Sequence, residues 1–307
     1  MRILVTGATG FIGSRLVPTL EARGHDVVVL TRDADGYDGA ADTVYEGDVL
    51  EAGTFEHALT DVDAAYYLIH SMGAGDDFAE KDRRGAKNFR EAADDADVER
   101  VVYLSGLGDD DEELSKHLQS RREVERVLAD GRFELTTLRA AVIIGEGNDS
   151  FQIVAQLVRR LPLLVTPRWI RKDCQPIAAD DVVAYLVGVV ETPETTGDTY
   201  DVGGPEELTY EGFVERTADV AGRPTLVVPL SAVTTGLSAY AAELVTDVPD
   251  DLVRPLVHGL ENDVTAEDEA IRRLVPIELT SYDAAIERAL GAETAESTAT
   301  RASSKLD

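Results

Sequence analysis

A chain that leaves its first apolar run through Gly7-Ala8-Thr9-Gly10-Phe11-Ile12-Gly13 has few folds open to it. Ile3-Leu4-Val5-Thr6 precedes this stretch, and Leu16, Val17 and Leu20 follow at helical spacing. Strand, glycine turn and helix in that order are the setting in which such a motif holds a dinucleotide. Each glycine has its own reason. Gly7 permits a tight turn out of the strand, Gly10 lets a pyrophosphate approach the backbone, and Gly13 lets the helix lie close to the sheet. The helix N-terminus then offers free N–H groups to the phosphates, so Thr9, Phe11 and Ile12 join the three glycines as cofactor-binding candidates. The alternative is a plain strand-to-helix turn.

The rest of the chain repeats this rhythm. Apolar runs of strand length fall at 27–30, 43–45, 64–69, 101–104 and 135–138, with helical patterns at 55–59, 78–93 and 114–128 between them. The alternation predicts an α/β fold, a doubly wound parallel (Rossmann) sheet covered on both faces. After residue 140 the rhythm loosens, with a helix expected over 151–161 and another near Asp180, where Asp180 or Asp181 is expected as N-cap. Gly145-Glu146-Gly147-Asn148 lacks a phosphate-loop lysine and reads as a loop. The expected organisation is a nucleotide-binding domain over 1–203 and a smaller mixed C-terminal lobe over 204–291, with help from 145–180. A disordered tail is expected over 292–307, which is rich in Thr, Ser, Ala and Glu. The substrate pocket is expected where the lobe covers the carboxyl ends of the strands.

The end of the second strand selects the nucleotide. A carboxylate there bonds the adenine ribose hydroxyl, whereas an Arg accommodates a 2′-phosphate. The sequence reads Leu30-Thr31-Arg32, so Arg32 favours NADP(H) over NAD(H), while Asp33 and Asp35 keep NAD(H) open. The fourth strand ends in Leu68-Ile69-His70-Ser71-Met72. The topology sets His70 and Ser71 beside the cofactor, with Met72 a candidate for the substrate pocket.

Taken together, T-G-A-T-G-F-I-G, the segment Tyr66 to Met72, His117-Leu118-Gln119-Ser120-Arg121, Pro167-Arg168-Trp169 and Gln175-Pro176-Ile177-Ala178 resemble the atypical short-chain dehydrogenase/reductases. That superfamily also includes epimerase- and dehydratase-like enzymes. The subgroup resembled is similar to the accessory subunit of respiratory complex I that holds NADPH. The resemblance covers about residues 1 to 290 and implies further roles. Asp48 and Val49 would meet the adenine, with a turn or cap as the alternative for Asp48. Trp169 and Gln175 would face the pocket from the substrate side, with a packed loop as the alternative.

Most reductases of this superfamily use a Tyr with a Lys four residues later. None of the ten tyrosines here has Lys at that spacing. At the corresponding place on the helix after the fifth strand stand His117 and Arg121, one turn apart on one face. Ser105 stands at the superfamily's catalytic serine. In one reading His117 is the general acid/base, its pKa near neutrality suiting the task. Arg121 then orients the cofactor, and the protein is an oxidoreductase or epimerase-like enzyme. In another the dyad is lost and the protein is a non-catalytic nucleotide-bound component of respiratory or quinone machinery. A third leaves His117 a surface residue.

Charge bounds the partners. Acidic residues number 59 against 29 basic ones, and the formal net charge is -30. Only five of the basic residues are lysines. Such a chain repels itself in dilute buffer, and salt screens the repulsion, so a high-salt cytoplasm as in halophilic archaea is expected, with an ordinary acidic protein as the alternative. Such a surface argues against nucleic acid as a partner, because phosphate binding needs clustered Lys and Arg. The lone Cys174 excludes an intrachain disulfide and fits a reducing interior. The histidines and Cys174 show no metal-ligand spacing. No signal peptide is read, and the uncharged stretch 224–242 is too interrupted to span a membrane. It remains open as an amphipathic face for a membrane or protein partner. Substrate and oligomeric state are not encoded in any readable form.

Overall fold

The computed structural model describes residues 1–41, 43–71, 77–108 and 114–291. The tail expected over 292–307 lies outside them. The first half alternates strand and helix: β1 (Arg2–Thr6), α1 (Gly13–Ala22), β2 (Asp26–Thr31), β3 (Thr43–Glu46), β4 (Ala64–Tyr67), α2 (Phe78–Asp95), β5 (Arg100–Gly106), α3 (Lys116–Ala129) and β6 (Glu134–Ala140). Shorter pieces follow: β7 (Ile143–Ile144), α4 (Asp149–Arg160), β8 (Leu163–Thr166), β9 (Asp173–Cys174), β10 (Ile177–Ala178), α5 (Ala179–Glu191) and β11 (Thr199–Val202). The last part holds β12 (Leu208–Thr209), α6 (Tyr210–Val220), β13 (Leu226–Pro229), α7 (Thr235–Val245), α8 (Asp250–Gly259) and α9 (Glu269–Leu274), then a helical run over 282–291.

Seven strands form the main sheet in the order β11-β6-β5-β4-β1-β2-β3, every neighbouring pair parallel. The order reverses between β1 and β4, which opens a crevice at their carboxyl ends. Strand periodicity sorts the side chains. Ile3, Val5, Val27, Val29, Tyr66 and Val102 point to the face covered by α1 and α5. Leu4, Val28, Leu30, Tyr67, Val101 and Tyr103 point to the face covered by α2 and α3. Thr6 ties the two strands at the reversal, donating from Oγ1 to the Tyr66 carbonyl at 3.0 Å and accepting from Leu68 N at 3.3 Å.

The C-terminal lobe has its own core, in which Phe151, Ala155 and Val158 of α4 meet Tyr210, Phe213 and Val214 of α6. A smaller cluster joins Ile153 to Ala239 and Ala242 of α7 and to Val253 and Val257 of α8. The division at residue 203 is not clean, because Ile271 and Val275 return to the core of the main sheet. In the uncharged stretch α7 buries Ala239 and Ala242 and exposes Leu237, Tyr240 and Leu244. Among the described residues no helix is long and apolar enough to cross a membrane.

One local expectation is corrected. Ala178 is the N-cap of α5, with no side-chain cap. Asp181 lies in the first turn and accepts from Thr280 N and Thr280 Oγ1, each at 2.8 Å, because the returning chain reaches it before the helix's own N–H groups do.

Candidate functional site

The turn between β1 and α1 is built as tightly as its glycines demand. Gly7 has φ +70°, and a Cβ there would lie 2.9 Å from the Leu68 carbonyl oxygen. A Cβ on Gly13 would lie 2.2 Å from the Gly7 oxygen, so only glycine lets the helix start this close to the strand. Gly10 N donates to the Gly7 carbonyl at 3.0 Å and closes the turn. No side chain caps α1 at Ile12. Ser14 N and Arg15 N donate to the Gly10 and Ile12 carbonyls at 3.0 and 3.1 Å, so the N–H groups that face a ligand are those of the turn before them, where the helix dipole favours an anion.

This turn forms one wall of a cleft of about 300 Å³ that continues to the C-terminal lobe. Gly7, Gly10, Phe11, Ile12 and Gly13 line it. Thr9 is exposed beside them. Arg15 braces the wall. Its guanidinium lies 4.3 Å over the Phe11 ring, and it donates to the Phe11 carbonyl at 2.6 Å and the Glu146 carbonyl at 2.8 Å. The segment 145–148 is therefore more than a connecting loop. Gly147 and Asn148 line the cleft, and the Asn148 side chain caps α4 by accepting from Phe151 N at 3.0 Å.

The candidate chemical groups meet in the same cleft. His70, Ser105, His117 and Arg121 all line it. Ser105 is 4% exposed, and among the described residues its Oγ closes no hydrogen bond, with the Tyr103 hydroxyl beside it. A buried hydroxyl without a partner is costly unless a ligand completes it. Arg121 has no carboxylate partner among the described residues, in a chain with twice as many acids as bases. Its charge has consequences for both imidazoles. Burial, then the Arg121 guanidinium, pushes the His117 pKa down to about 3. The Arg121 charge, and then burial, hold His70 well below the usual histidine range. Both rings are neutral at physiological pH. The expectation that His117 titrates near neutrality is corrected: burial, and then the cation one turn away, removes the proton that a general acid would hold.

The helix carrying this pair is anchored from two sides. Asp82 of α2, only 4% exposed, accepts from Ser71 N at 2.6 Å and Ser120 Oγ at 3.1 Å. It ties the exit of β4 to α3. From the lobe, Asn262 Oδ1 accepts from Ser115 N, the N-cap of α3, at 3.3 Å.

Other candidates sit elsewhere. Arg32 is exposed at the end of β2, with no carboxylate partner among the described residues. Asp48 Oδ1 accepts from Leu50 N at 2.8 Å, the turn role. Val49 is buried in the core beneath α2. Ser71 does not line the cleft, and Met72 lies outside the described residues. Trp169 and Gln175 do not line it either. Trp169 Nε1 donates to Thr235 Oγ1 at 2.9 Å and the ring packs edge-on against Tyr210. Gln175 is 5% exposed, donates to the Gly204 carbonyl at 2.9 Å and accepts from Ala266 N at 2.9 Å. Each has its polar atoms spent on the lobe's own packing, so the substrate-side expectation for both is corrected. The side chains that line the lobe half include Ile153, Phe213, Val214, Leu256, Val257 and Leu260, with Tyr210 and, at the first turn of α4, Asp149. Sequence reasoning missed them. Tyr210, Phe213 and Val214 carry a legible helical period, but nothing local shows which of them borders a cleft.

Comparison with known proteins agrees with this construction. Residues 7–158 match the family described as NAD(P)H-binding. A 3-diazoavenalumate denitrifying reductase of Streptomyces sp is 31% identical over 233 residues, 64% of this chain and 74% of that protein. A mitochondrial NADH dehydrogenase [ubiquinone] 1 alpha subcomplex subunit 9 of Arabidopsis thaliana is 24% identical over 91% of this chain and 75% of its own length. Against uncharacterised mycobacterial relatives at 29% identity, the chain spans only 24% of their length. In fold it is similar to the NADPH-dependent quinone oxidoreductase of Escherichia coli, with a TM-score of 0.76 at 20% identity, over 92% of this chain and 98% of that one. With its glycine turn, its switch-point cleft and these relatives in agreement, the chain belongs to the NAD(P)H-binding proteins of the atypical short-chain dehydrogenase/reductase type.

Proposed function

We propose that the protein is an NADP(H)-linked reductase acting on a small molecule held between the glycine turn and the C-terminal lobe. One observation carries this reading: the unpartnered Ser105 hydroxyl and the Arg121 guanidinium line the same cleft as the nucleotide turn. A bound nicotinamide nucleotide supplies a hydride. The chain's own residues supply the rest. The uncapped turn of α1 takes the pyrophosphate, Arg32 takes the 2′-phosphate, and Ser105 and Arg121 hold the oxygen on which charge develops. Neutral His117 orients that oxygen by hydrogen bonding. The Streptomyces relative, a reductase by name, supports the same class.

The test is titration of the purified protein with NADPH and NADH in molar salt, beside Arg32→Ala. NADPH is expected to bind more tightly, and Arg32→Ala to weaken it about tenfold, near 1.4 kcal/mol, with NADH unchanged. Failure of both nucleotides to bind would end the reading.

The second reading is a nucleotide-holding assembly subunit. It is favoured by the missing Tyr and Lys and by the plant complex I relative, which aligns over most of the chain. NADPH binding with no turnover of any acceptor would select it. We also assign the protein to a high-salt cytoplasm, because the net charge of -30 demands screening.

A further inference from the structure

We propose that the face formed by β8, β13 and α7 docks on a lipid surface with anionic headgroups, its apolar side chains in the outer hydrocarbon and Arg168 and Arg223 on the headgroups. The reductase reading is not needed for it. Carboxylates are frequent throughout the chain, and the two longest runs without one are 150–172 and 220–242. The fold pairs these two runs. β8 lies in the first and β13 in the second, with Leu163 opposite Leu226 and Val165 opposite Val228. The ribbon carries apolar side chains on both faces. Leu164 and Val227 enter the core of the lobe, whereas Leu163, Val165 and Leu226 point away from it and Leu230 extends the outer face. On α7, Leu237, Tyr240 and Leu244 recur at helical spacing on the side opposite Ala239 and Ala242. These seven side chains are between 45% and 70% exposed, and with Met1 they are the large apolar residues that the described part of the chain leaves most open to solvent. Ribbon and helix are tied at both ends. Trp169, just beyond β8, bonds Thr235 at the start of α7, and Arg160, just before β8, bonds the Val245 carbonyl and Asp247 at its end.

An apolar surface of this extent marks a docking site, and its flanking charges select the occupant. Arg168 follows the end of β8 and Arg223 precedes the start of β13, so they stand at opposite ends of the parallel ribbon. Both are exposed, and neither has a carboxylate partner among the described residues, in a chain with twice as many acids as bases. A second copy fits poorly. In a two-fold pair the face meets itself, so arginine meets arginine, and neither run has a carboxylate to set between them. The carboxylates at the end of α7, Glu243 and Asp247, are already held by Arg254 and Arg160. A peptide segment docks in a groove, and neither the nucleotide cleft nor the cavity lined by Lys116, Arg254 and His258 includes any of the seven side chains. A bilayer needs no groove. It takes leucines into its outer hydrocarbon, holds a tyrosine ring with the hydroxyl wet, and offers phosphates to flanking arginines. Salt then acts in an unusual direction. The body of the protein, at a net charge of -30, repels an anionic surface at long range, whereas the arginines attract it at contact. The Debye length falls from about 10 Å at 0.1 M salt to about 3 Å at 1 M, which removes the long-range repulsion and leaves the apolar contact. Attachment therefore strengthens as salt rises.

The experiment is sedimentation of the full chain with vesicles of phosphatidylglycerol or of phosphatidylcholine across a potassium chloride series. Attachment to phosphatidylglycerol should rise with salt. In molar salt it should exceed attachment to phosphatidylcholine about fivefold, less than two arginines give together at physiological ionic strength. Arg168→Gln combined with Arg223→Gln should erase that preference and keep the remaining attachment. Leu226→Glu and, separately, Leu244→Glu should weaken attachment to both vesicles about tenfold or more. Both leucines are more than half exposed, so these variants should keep the parent's circular dichroism and melting temperature. No attachment to phosphatidylglycerol in molar salt overturns the proposal. So does equal attachment to both lipids, a steady fall with salt, or full attachment by the two leucine variants. Sedimentation velocity without vesicles tests the other occupant: a dimer that Leu244→Glu dissociates would put a second copy on this face and overturn the lipid assignment. None of these readouts depends on nucleotide binding or turnover, so the reductase reading stands or falls separately.

Discussion

At the scale of single residues the site is governed by what has no room and what has no partner. Gly13 has no room. Gly13→Ala would press a methyl against the Gly7 carbonyl and Ala8 Cα, and the backbone must move. A cost of about 1–3 kcal/mol is expected in a melting experiment, together with at least tenfold weaker NADPH binding. Arg121 has no carboxylate partner among the described residues, and with burial, the larger cause, it sets the state of His117. The folded protein holds that imidazole's pKa at about 3, whereas a histidine in the unfolded chain titrates near about 6.5. Between those values the unfolded state binds the extra proton. Stability from this residue is complete above about pH 6.5 and is lost as the pH falls toward 3. Melting temperature against pH should therefore fall less steeply on the acid side for His117→Gln than for the parent. An equal slope would mean that the ring is solvated. His117 and His70 should put no inflection into a rate profile between about pH 6 and 8.

At the scale of elements, the deciding contacts join pieces far apart in sequence. Asp82 on α2 holds both the exit of β4 and the helix that presents His117 and Arg121. Asp82→Ala would leave a backbone N–H and a serine hydroxyl without acceptors, about 1–3 kcal/mol by melting. Weaker NADPH binding should accompany it, because β4's exit would drift. Asp82→Asn, which keeps one acceptor, should recover part of both. The contrast between Asp82 and Gly7 shows what sequence can reveal. The glycine turn is legible because strand, turn and helix are contiguous and each glycine answers a local steric demand. The sheet order follows from the same local alternation. Asp82 reads as one more charge in a charged helix, since its two partners lie on other elements. The side-chain directions of Trp169 and Gln175 are set by Thr235, Gly204 and Ala266, which no spacing rule reaches. His117 was visible as a residue type in place, but its protonation depends on burial and on a neighbour's charge.

At the scale of the whole molecule, the charge of -30 on 307 residues makes salt dependence the test of the proposed high-salt setting. The Debye length shrinks from about 30 Å at 0.01 M salt to about 3 Å at 1 M. Melting temperature should climb steeply over that range, and calorimetry in potassium chloride would read it. A flat curve would mean that the local ion pairs, such as Arg139 with Glu125 and Arg23 with Glu191, already balance the surface. The two halves of the molecule also share a brace. Arg15 grips the Phe11 carbonyl with one nitrogen and the Glu146 carbonyl with another, so the wall that receives the pyrophosphate and the segment that opens α4 are held by one guanidinium. A nucleotide seated on that wall stiffens a stretch of chain more than a hundred residues away. A protease should sense this: 145–150 ought to be cut slowly when NADPH is present and readily when it is absent, and Arg15→Ala should be cut at the same pace in both.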